Sequence, residues 1–340
     1  MSFSQPIRLV PHGLRNGSAV DRRKVNYLRI SITDRCNERC LYCMPEKYAG
    51  WVPRDELLSY EEILAIVKVG VSLGFRHFRV TGGEPLVRPG VVGFVERLIG
   101  LPGVETVSLS TNGTRLPELA EGLWKAGLRR VNVSLDALDP QRYREITRGD
   151  IDPVLEGIEL CRKLGFSSLK INTVLLRNRN EEEIWPLAKF AASRGLVIRF
   201  IELMPVTRSD MLAEENFFSV EEAKRSLEKY DRLEPVNLKL GLGPAKYFRL
   251  ARLGGIVGFI GAISDSRFCD GCNKMRLTAD GKLRPCLGDH AEWDLKPCVR
   301  PALDRVRLKE CWEAALAAKP LAHSFREGYQ PGRVMTAIGG

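Results

Sequence analysis

Tyr27-Leu28-Arg29-Ile30-Ser31-Ile32 runs through Thr33-Asp34-Arg35 into Cys36-Asn37-Glu38-Arg39-Cys40-Leu41-Tyr42-Cys43. The first part reads as a strand, and the last sets three thiols within eight residues at C-x3-C-x2-C spacing. Three cysteines this close cannot all pair as disulfides, but they can wrap a soft metal centre. A tetrahedral zinc site needs a fourth ligand, and no nearby Cys or His supplies one. A [4Fe-4S] cluster can take three thiolates and leave one iron open for a small molecule. The strand would deliver that centre to its own carboxyl end.

Outward from this stretch the chain repeats one unit, a strand-like run followed by an amphipathic helix-like run. Strands are predicted at 27–32, 77–81, 106–111, 130–135, 169–175 and 197–203. One helix is predicted to start at Ser59, with Glu62 completing a capping box. Another is predicted to start at Asn180, with Glu183 three residues on and three acids in its first turn. Gly74, Gly127, Gly165 and Gly195 stand where these helices should stop. The alternation predicts an α/β fold, a partial (β/α)6 TIM-like barrel, with a doubly wound open sheet as the alternative. Both place chemistry at the carboxyl ends of the strands. The predicted strands end there in polar groups: Asp34 and Cys36, Thr81-Gly82-Gly83-Glu84-Pro85, Ser110-Thr111-Asn112-Gly113, Ser134-Leu135-Asp136 and Glu202-Leu203-Met204-Pro205.

From about residue 211 the rhythm changes. A helix is predicted at 219–230, short strands at 245–250 and 255–260, and a helical tail at about 303–318. The expected organisation is a flexible N-terminal arm at 1–24, a barrel at 25–210, and a smaller C-terminal domain at 211–340 that closes the barrel's open side. Within the last lies a second cysteine set, Cys269-x2-Cys272 followed by Cys286. On spacing alone, structural zinc with His290 as fourth ligand is as good a reading as a second cluster. Cys161, Cys298 and Cys311 fall outside both sets and read as buried thiols.

A chain of 340 residues that is 44% hydrophobic and 28% charged belongs to the soluble globular class. No apolar run approaches membrane-spanning length, so no membrane is expected as a partner. Residues 1–20 are broken by Pro6, Pro11 and Gly13 and lack an apolar signal core. Six of the nine cysteines fall in tight sets, which suits metal binding in a reducing compartment, the cytoplasm. The formal charge of +10 fits either a basic solvated surface or a polyanionic small substrate. No basic segment with interleaved aromatics points to nucleic acid. Arg29 and Arg79 interrupt apolar strands, where a charge is costly unless paired internally or bound to an anion.

Taken together, several stretches resemble the GTP 3',8-cyclases, a family of radical S-adenosylmethionine (SAM) enzymes, from about Asp21 to the end. They are the lead-in from Tyr27 to Asn37, the Thr81-Gly82-Gly83-Glu84-Pro85 turn, Asn132-Val133-Ser134-Leu135-Asp136, Arg199-Phe200-Ile201-Glu202-Leu203-Met204-Pro205, the second cysteine set and the terminal Gly339-Gly340. The resemblance implies two [4Fe-4S] clusters, displacing zinc from the second set. It implies that SAM is cleaved to methionine and a 5'-deoxyadenosyl radical, which takes the 3' hydrogen of GTP. The ribose carbon then attacks C8 of guanine, giving 3',8-cyclo-7,8-dihydro-GTP, the first step of molybdenum cofactor biosynthesis. By the same resemblance Cys36, Cys40 and Cys43 ligate the first cluster, and Tyr42, Gly83, Ser134 and Met204 form the SAM pocket. Cys269, Cys272 and Cys286 ligate the second cluster, whose open iron contacts guanine. Arg29, Arg79, Ser110, Lys170, Lys274, Met275 and Arg276 bind GTP, and Gly339-Gly340 reach the active site to assist turnover. Many members carry Arg at the position of Lys274 and Thr at that of Ser110. The resemblance also implies a flavodoxin- or ferredoxin-type electron donor, delivery to cyclic pyranopterin monophosphate synthase, and a homodimer. The competing readings are a peptide-modifying radical SAM enzyme, a two-cluster electron carrier and a zinc-stabilised nucleic-acid binder.

Overall fold

The six predicted strands form, in chain order and in parallel. They are β1 (Tyr27–Ser31), β2 (His77–Thr81), β3 (Thr106–Thr111), β4 (Arg130–Ser134), β5 (Ser168–Leu175) and β6 (Val197–Glu202). The computed structural model describes residues 25–206, 211, 214–238 and 240–339; the predicted arm at 1–24 and Gly340 lie outside the described residues. Helices α1 (Tyr60–Ser72), α2 (Val91–Ile99), α3 (Leu116–Lys125), α4 (Pro140–Thr147), α5 (Asp152–Lys163) and α6 (Ile184–Ser193) make the crossovers. A sequential strand order has no reversal point, which excludes the doubly wound alternative.

Local signals explain most helix ends. Ser59 and Glu62 exchange the two bonds of a capping box at the start of α1. Gly74, Gly127, Gly165 and Gly195 all take positive φ just past a helix, where a Cβ would be strained. The expected cap at Asn180 differs. A short 3-10 turn, Glu181–Glu183, precedes α6, and the Asn180 side chain donates instead to the carbonyls of Asp136 and Val174. Tertiary acceptors thus outcompete the local cap, because the Asn180 side chain is wholly buried and must be satisfied where it lies.

The C-terminal part, expected as a smaller domain on the open side, adds its strands to both edges of the same sheet. It supplies α7 (Val220–Glu228), β7 (Leu233–Val236), β8 (Lys246–Leu250), β9 (Ile256–Ile260), β10 (Lys274–Leu277), β11 (Lys282–Arg284), β12 (Trp293–Asp294) and α8 (Arg305–Ala317). The full order is β12-β11-β10-β1-β2-β3-β4-β5-β6-β9-β8-β7. Strand β10 pairs parallel with β1, and β9 pairs parallel with β6, so the parallel core is wider than six strands. Each edge then turns antiparallel through a hairpin.

Strand alternation separates two faces. Leu28, Ile30, Phe78, Val80, Leu109, Val131, Val133, Ile171, Ile198 and Phe200 point outward and are buried in one core. The inward positions carry Tyr27, Arg29, Arg79, Ser108, Ser110, Asn132, Lys170, Asn172 and Arg199, which line a cavity of about 1190 Å³. A barrel of this kind ordinarily fills its interior with branched apolar side chains; this one is lined for a polar ligand.

Candidate active site between two cysteine sets

Both cysteine sets line the cavity, at its opposite ends. Cys36, Cys40 and Cys43 follow the carboxyl end of β1. Cys269 and Cys272 precede β10, and Cys286 follows β11, which puts the second set at the amino end of the same strand pair. The five residues of β1 separate them, about 16 Å at the usual rise.

The first loop is anchored on all sides. Arg39 and Leu41 donate backbone N–H groups to Thr147 and Ile146 at the end of α4. Tyr143 donates to Glu38, Tyr42 donates to Asp136, and Asn112 donates to Asn37. The Tyr42 hydroxyl is therefore engaged, and what it can offer a ligand is its ring and backbone. Burial pushes the Cys43 thiol up to about 12, and burial with nearby carboxylates raises Cys36 and Cys40 as well. Thiolates in such a place need a cationic centre.

Gly82 and Gly83 are explained by packing against this loop. A Cβ on Gly82 would lie 2.6 Å from the Thr33 carbonyl oxygen, and one on Gly83 2.4 Å from that of Arg35. The Gly83 N–H donates to Thr33 at 2.7 Å, so its carbonyl is the group available to an ammonium. The steric need for glycine here is the cysteine lead-in itself, not an approaching ligand. Ser134 and Met204 line the same end of the cavity.

The acids at the strand ends are buttresses. Glu84 accepts from Leu86 N, Asn112 N and Thr111 Oγ1; Asp136 accepts from Tyr42 and Val174 N; Glu202 accepts from Val220 N, Ile263 N and Ser264 N. Burial raises Glu84 to about 7 and Asp136 to about 6 against these stabilising donors. Their work is to hold loops.

The cations are different. Arg276, Arg29 and Arg79 stand side by side across β10, β1 and β2. Arg79 donates to the Tyr27 hydroxyl at 2.7 Å and to Ser110 at 3.0 Å, so it lies in no salt bridge among the described residues. Arg199, 8% exposed, donates to Asn172 and Asn132. Lys170 and Lys274 donate to the carbonyls of Leu240 and Leu242. Burial, then neighbouring positive charge, pushes Arg29 well down and holds Arg199 at about 10 and Lys170 at about 8; burial is also the main cause at Arg276, held at about 10. Like charges already repel here, and an anion would relieve that repulsion. The Asn132 amide nitrogen, buried beside it, has no acceptor among the described residues. Met275 departs from expectation: alternation turns its side chain away from the cavity into the core, fully buried. Asn132, Asn172 and Arg199 were missed as site residues, although the polar phase of the strand alternation marks all three.

In the second set, Cys272 lies below the usual thiol value. Burial raises it, but the charge of Lys319 and the Lys274 backbone N–H outweigh burial. Burial keeps Cys269 up at about 11 and Cys286 raised. His290 stacks on Tyr329 with ring centroids 4.7 Å apart and does not line the cavity that the three cysteines line. Among the described residues no three Cys, His, Asp or Glu side chains converge on one point, as a single ion requires. A polynuclear cluster, with each thiolate on its own iron, does not require it. The tail also reaches the cavity wall: the Gly339 carbonyl accepts from Arg29 Nη2 and from Thr81 Oγ1, each at 3.2 Å.

Residues 30–191 match the Radical SAM superfamily, and residues 196–325 match Molybdenum Cofactor Synthesis C. The GTP 3',8-cyclase of Pelotomaculum thermopropionicum is 44% identical over 94% of this chain and 98% of its own length. That of Thermodesulfovibrio yellowstonii is 45% identical over the same shares. Among solved structures, Streptococcus suis SuiB bound to S-adenosylmethionine superposes with a TM-score of 0.59 at 14% identity, over 88% of this chain and 67% of that one, a likeness of fold. Radical SAM membership implies SAM and a [4Fe-4S] cluster, and among the described residues no helix is long and apolar enough to cross a membrane. The chain belongs to the GTP 3',8-cyclase family, radical SAM enzymes of molybdenum cofactor biosynthesis.

Proposed function

We propose that the cavity takes SAM at the carboxyl end of the strands and GTP between the two cysteine sets, and that each set carries one [4Fe-4S] cluster. The observation behind this reading is the row of Arg276, Arg29 and Arg79 with Lys170 and Arg199, inside a cavity flanked by both triads. A triphosphate supplies the negative charge that these cations lack. When bound, the first cluster and SAM supply the one-electron cleavage that yields a hydrogen-abstracting radical.

The chain's own residues then position and shield. Cys36, Cys40 and Cys43 hold the first cluster, and the Gly83 carbonyl, Tyr42, Ser134 and Met204 orient SAM. Arg29, Arg79, Ser110, Lys170, Lys274 and Arg276 bind GTP, Met275 contributing backbone only. Asn132 offers its amide hydrogens to an acceptor on the substrate. Cys269, Cys272 and Cys286 hold the second cluster against the guanine. Gly339 fixes Arg29 through its carbonyl, and Gly339-Gly340 assist turnover. Holding the ribose within reach of the radical source, away from water, is the protein's main contribution. Lys274 in place of Arg keeps the charge but gives up the planar fork. A flavodoxin- or ferredoxin-type reductant, transfer of product to cyclic pyranopterin monophosphate synthase, a homodimer and the reducing cytoplasm complete the reading.

The test is anaerobic incubation of the reduced holoenzyme with SAM and GTP, followed by mass spectrometry. The expected result is 5'-deoxyadenosine together with a product isomeric with GTP. 5'-Deoxyadenosine without any GTP-derived isomer would overturn the substrate assignment and favour the peptide-modifying alternative.

A further inference from the structure

Lys319 follows the C-terminal end of α8 and is 7% exposed. Its ammonium donates to the Lys274 carbonyl at 2.8 Å, to the Pro285 carbonyl at 2.9 Å and to Cys272 Sγ at 3.6 Å. These acceptors belong to three separate pieces of the second cysteine set: the C-x2-C turn, the first residue of β10, and the residue before Cys286. No carboxylate pairs with this ammonium among the described residues. A buried cation without a counter-charge is costly. The negative charge within reach is that of the cysteines once they are thiolates, the state in which they ligate metal.

The placement is rigid. Asp304 caps α8 by accepting from Arg307 N, and Trp312 is fully buried against Phe75, ring centroids 4.7 Å apart. Gly70 of α1 lets the indole in, since a Cβ there would lie 3.0 Å from it. The helix's carboxyl end adds partial negative charge near the ammonium.

We propose that Lys319 is a positioning residue of the second cysteine set: it fastens the turn, β10 and the Cys286 segment together and raises the reduction potential of the cluster they hold. This rests on the two-cluster reading above. A fixed positive charge and an N–H···S bond stabilise the more negative, reduced form of a cluster.

The experiment is a redox titration, followed by electron paramagnetic resonance, of full-length holoenzyme reconstituted anaerobically. The second cluster's signal is identified as the one lost in Cys269→Ala. Lys319→Met should favour the oxidised form about tenfold, a midpoint lower by about 59 mV for a one-electron couple, with the first cluster's midpoint unmoved. Lys319→Arg, which keeps the charge, should restore most of the shift. An unmoved midpoint in Lys319→Met with full iron content overturns the proposal. If Lys319→Met loses the second cluster, its retention in Lys319→Arg supports the proposal, and loss in both variants overturns it. Wild-type protein with only about four irons instead of about eight defeats the two-cluster reading itself, before any Lys319 variant is read.

Discussion

The two cysteine sets are built in opposite ways. The first is one eight-residue loop, held from outside by Tyr143, Asp136, Asn112 and the backbone of α4. The second is assembled from two sides of a hairpin, with Cys269 and Cys272 before β10 and Cys286 after β11, tied by Lys319 just past α8. A local set fixes the spacing of its ligands within its own loop, while the neighbours packed on it, Gly83 among them, decide where that loop sits. A set closed by tertiary contacts depends on distant elements and can be tuned through them. On the proposed function, the difference suits a division of labour between a cluster that grips SAM in one geometry and a cluster that receives the base of GTP.

The sharpest way to break this comparison is to remove one thiol from each set. Cys36→Ala should abolish SAM cleavage altogether and remove about four irons. Cys269→Ala should remove as many irons yet still form 5'-deoxyadenosine, without cyclised product. Iron analysis and chromatography read both, and equal loss of SAM cleavage in the two variants would erase the distinction. Next in size is Gly83→Ala. Its Cβ would meet the Arg35 carbonyl oxygen at 2.4 Å, so urea denaturation should show a loss of about 3 kcal/mol, the upper range for overpacking, together with failure to retain the first cluster only.

Deletion of Gly339 and Gly340 leaves both sets intact and removes the Gly339 carbonyl that accepts from Arg29. Cyclisation should fall about a hundredfold, the scale of losing one positioning contact, while iron content and SAM binding hold. Full product formation by the truncated chain would dismiss the tail from the site. The smallest effect concerns the space between the sets. Lys170→Met should raise KM for GTP about tenfold, since a hydrogen bond to a charged group contributes about 1.5–3 kcal/mol. Lys170 is held at about 8 by burial and by Arg199, Arg79 and Arg130. Its charge is present below that value and lost above it, so KM should climb as pH rises through about 8. Lys170→Arg should flatten that rise, which a pH series of initial rates checks.

Much of the barrel could be read from periodicity. The predicted strands agree with β1 to β6 within a residue at either end, because a buried apolar phase of period two leaves little freedom in register. Strands β10, β11 and β12 could not be read, because four, three and two residues are too short for any pattern to rise above chance. The acids at the strand ends were legible as a cluster, but their work as loop buttresses was not, since a carboxylate's partners are backbone N–H groups that no sequence names. Met275 was carried into the site by its neighbours Lys274 and Arg276; alternation alone would have excluded it.

By itself the amino-acid sequence determined the alternating αβ plan, the local C-x3-C-x2-C loop and the presence of cations inside apolar strands, because each is a property of residues close together in the chain. Tertiary structure alone decided that the second set faces the first from the other end of β1, that the Gly339 carbonyl accepts from Arg29, and that Lys319 reaches the cavity. Those contacts depend on which strand pairs with which edge, a choice made by the burial of whole faces rather than by any local preference.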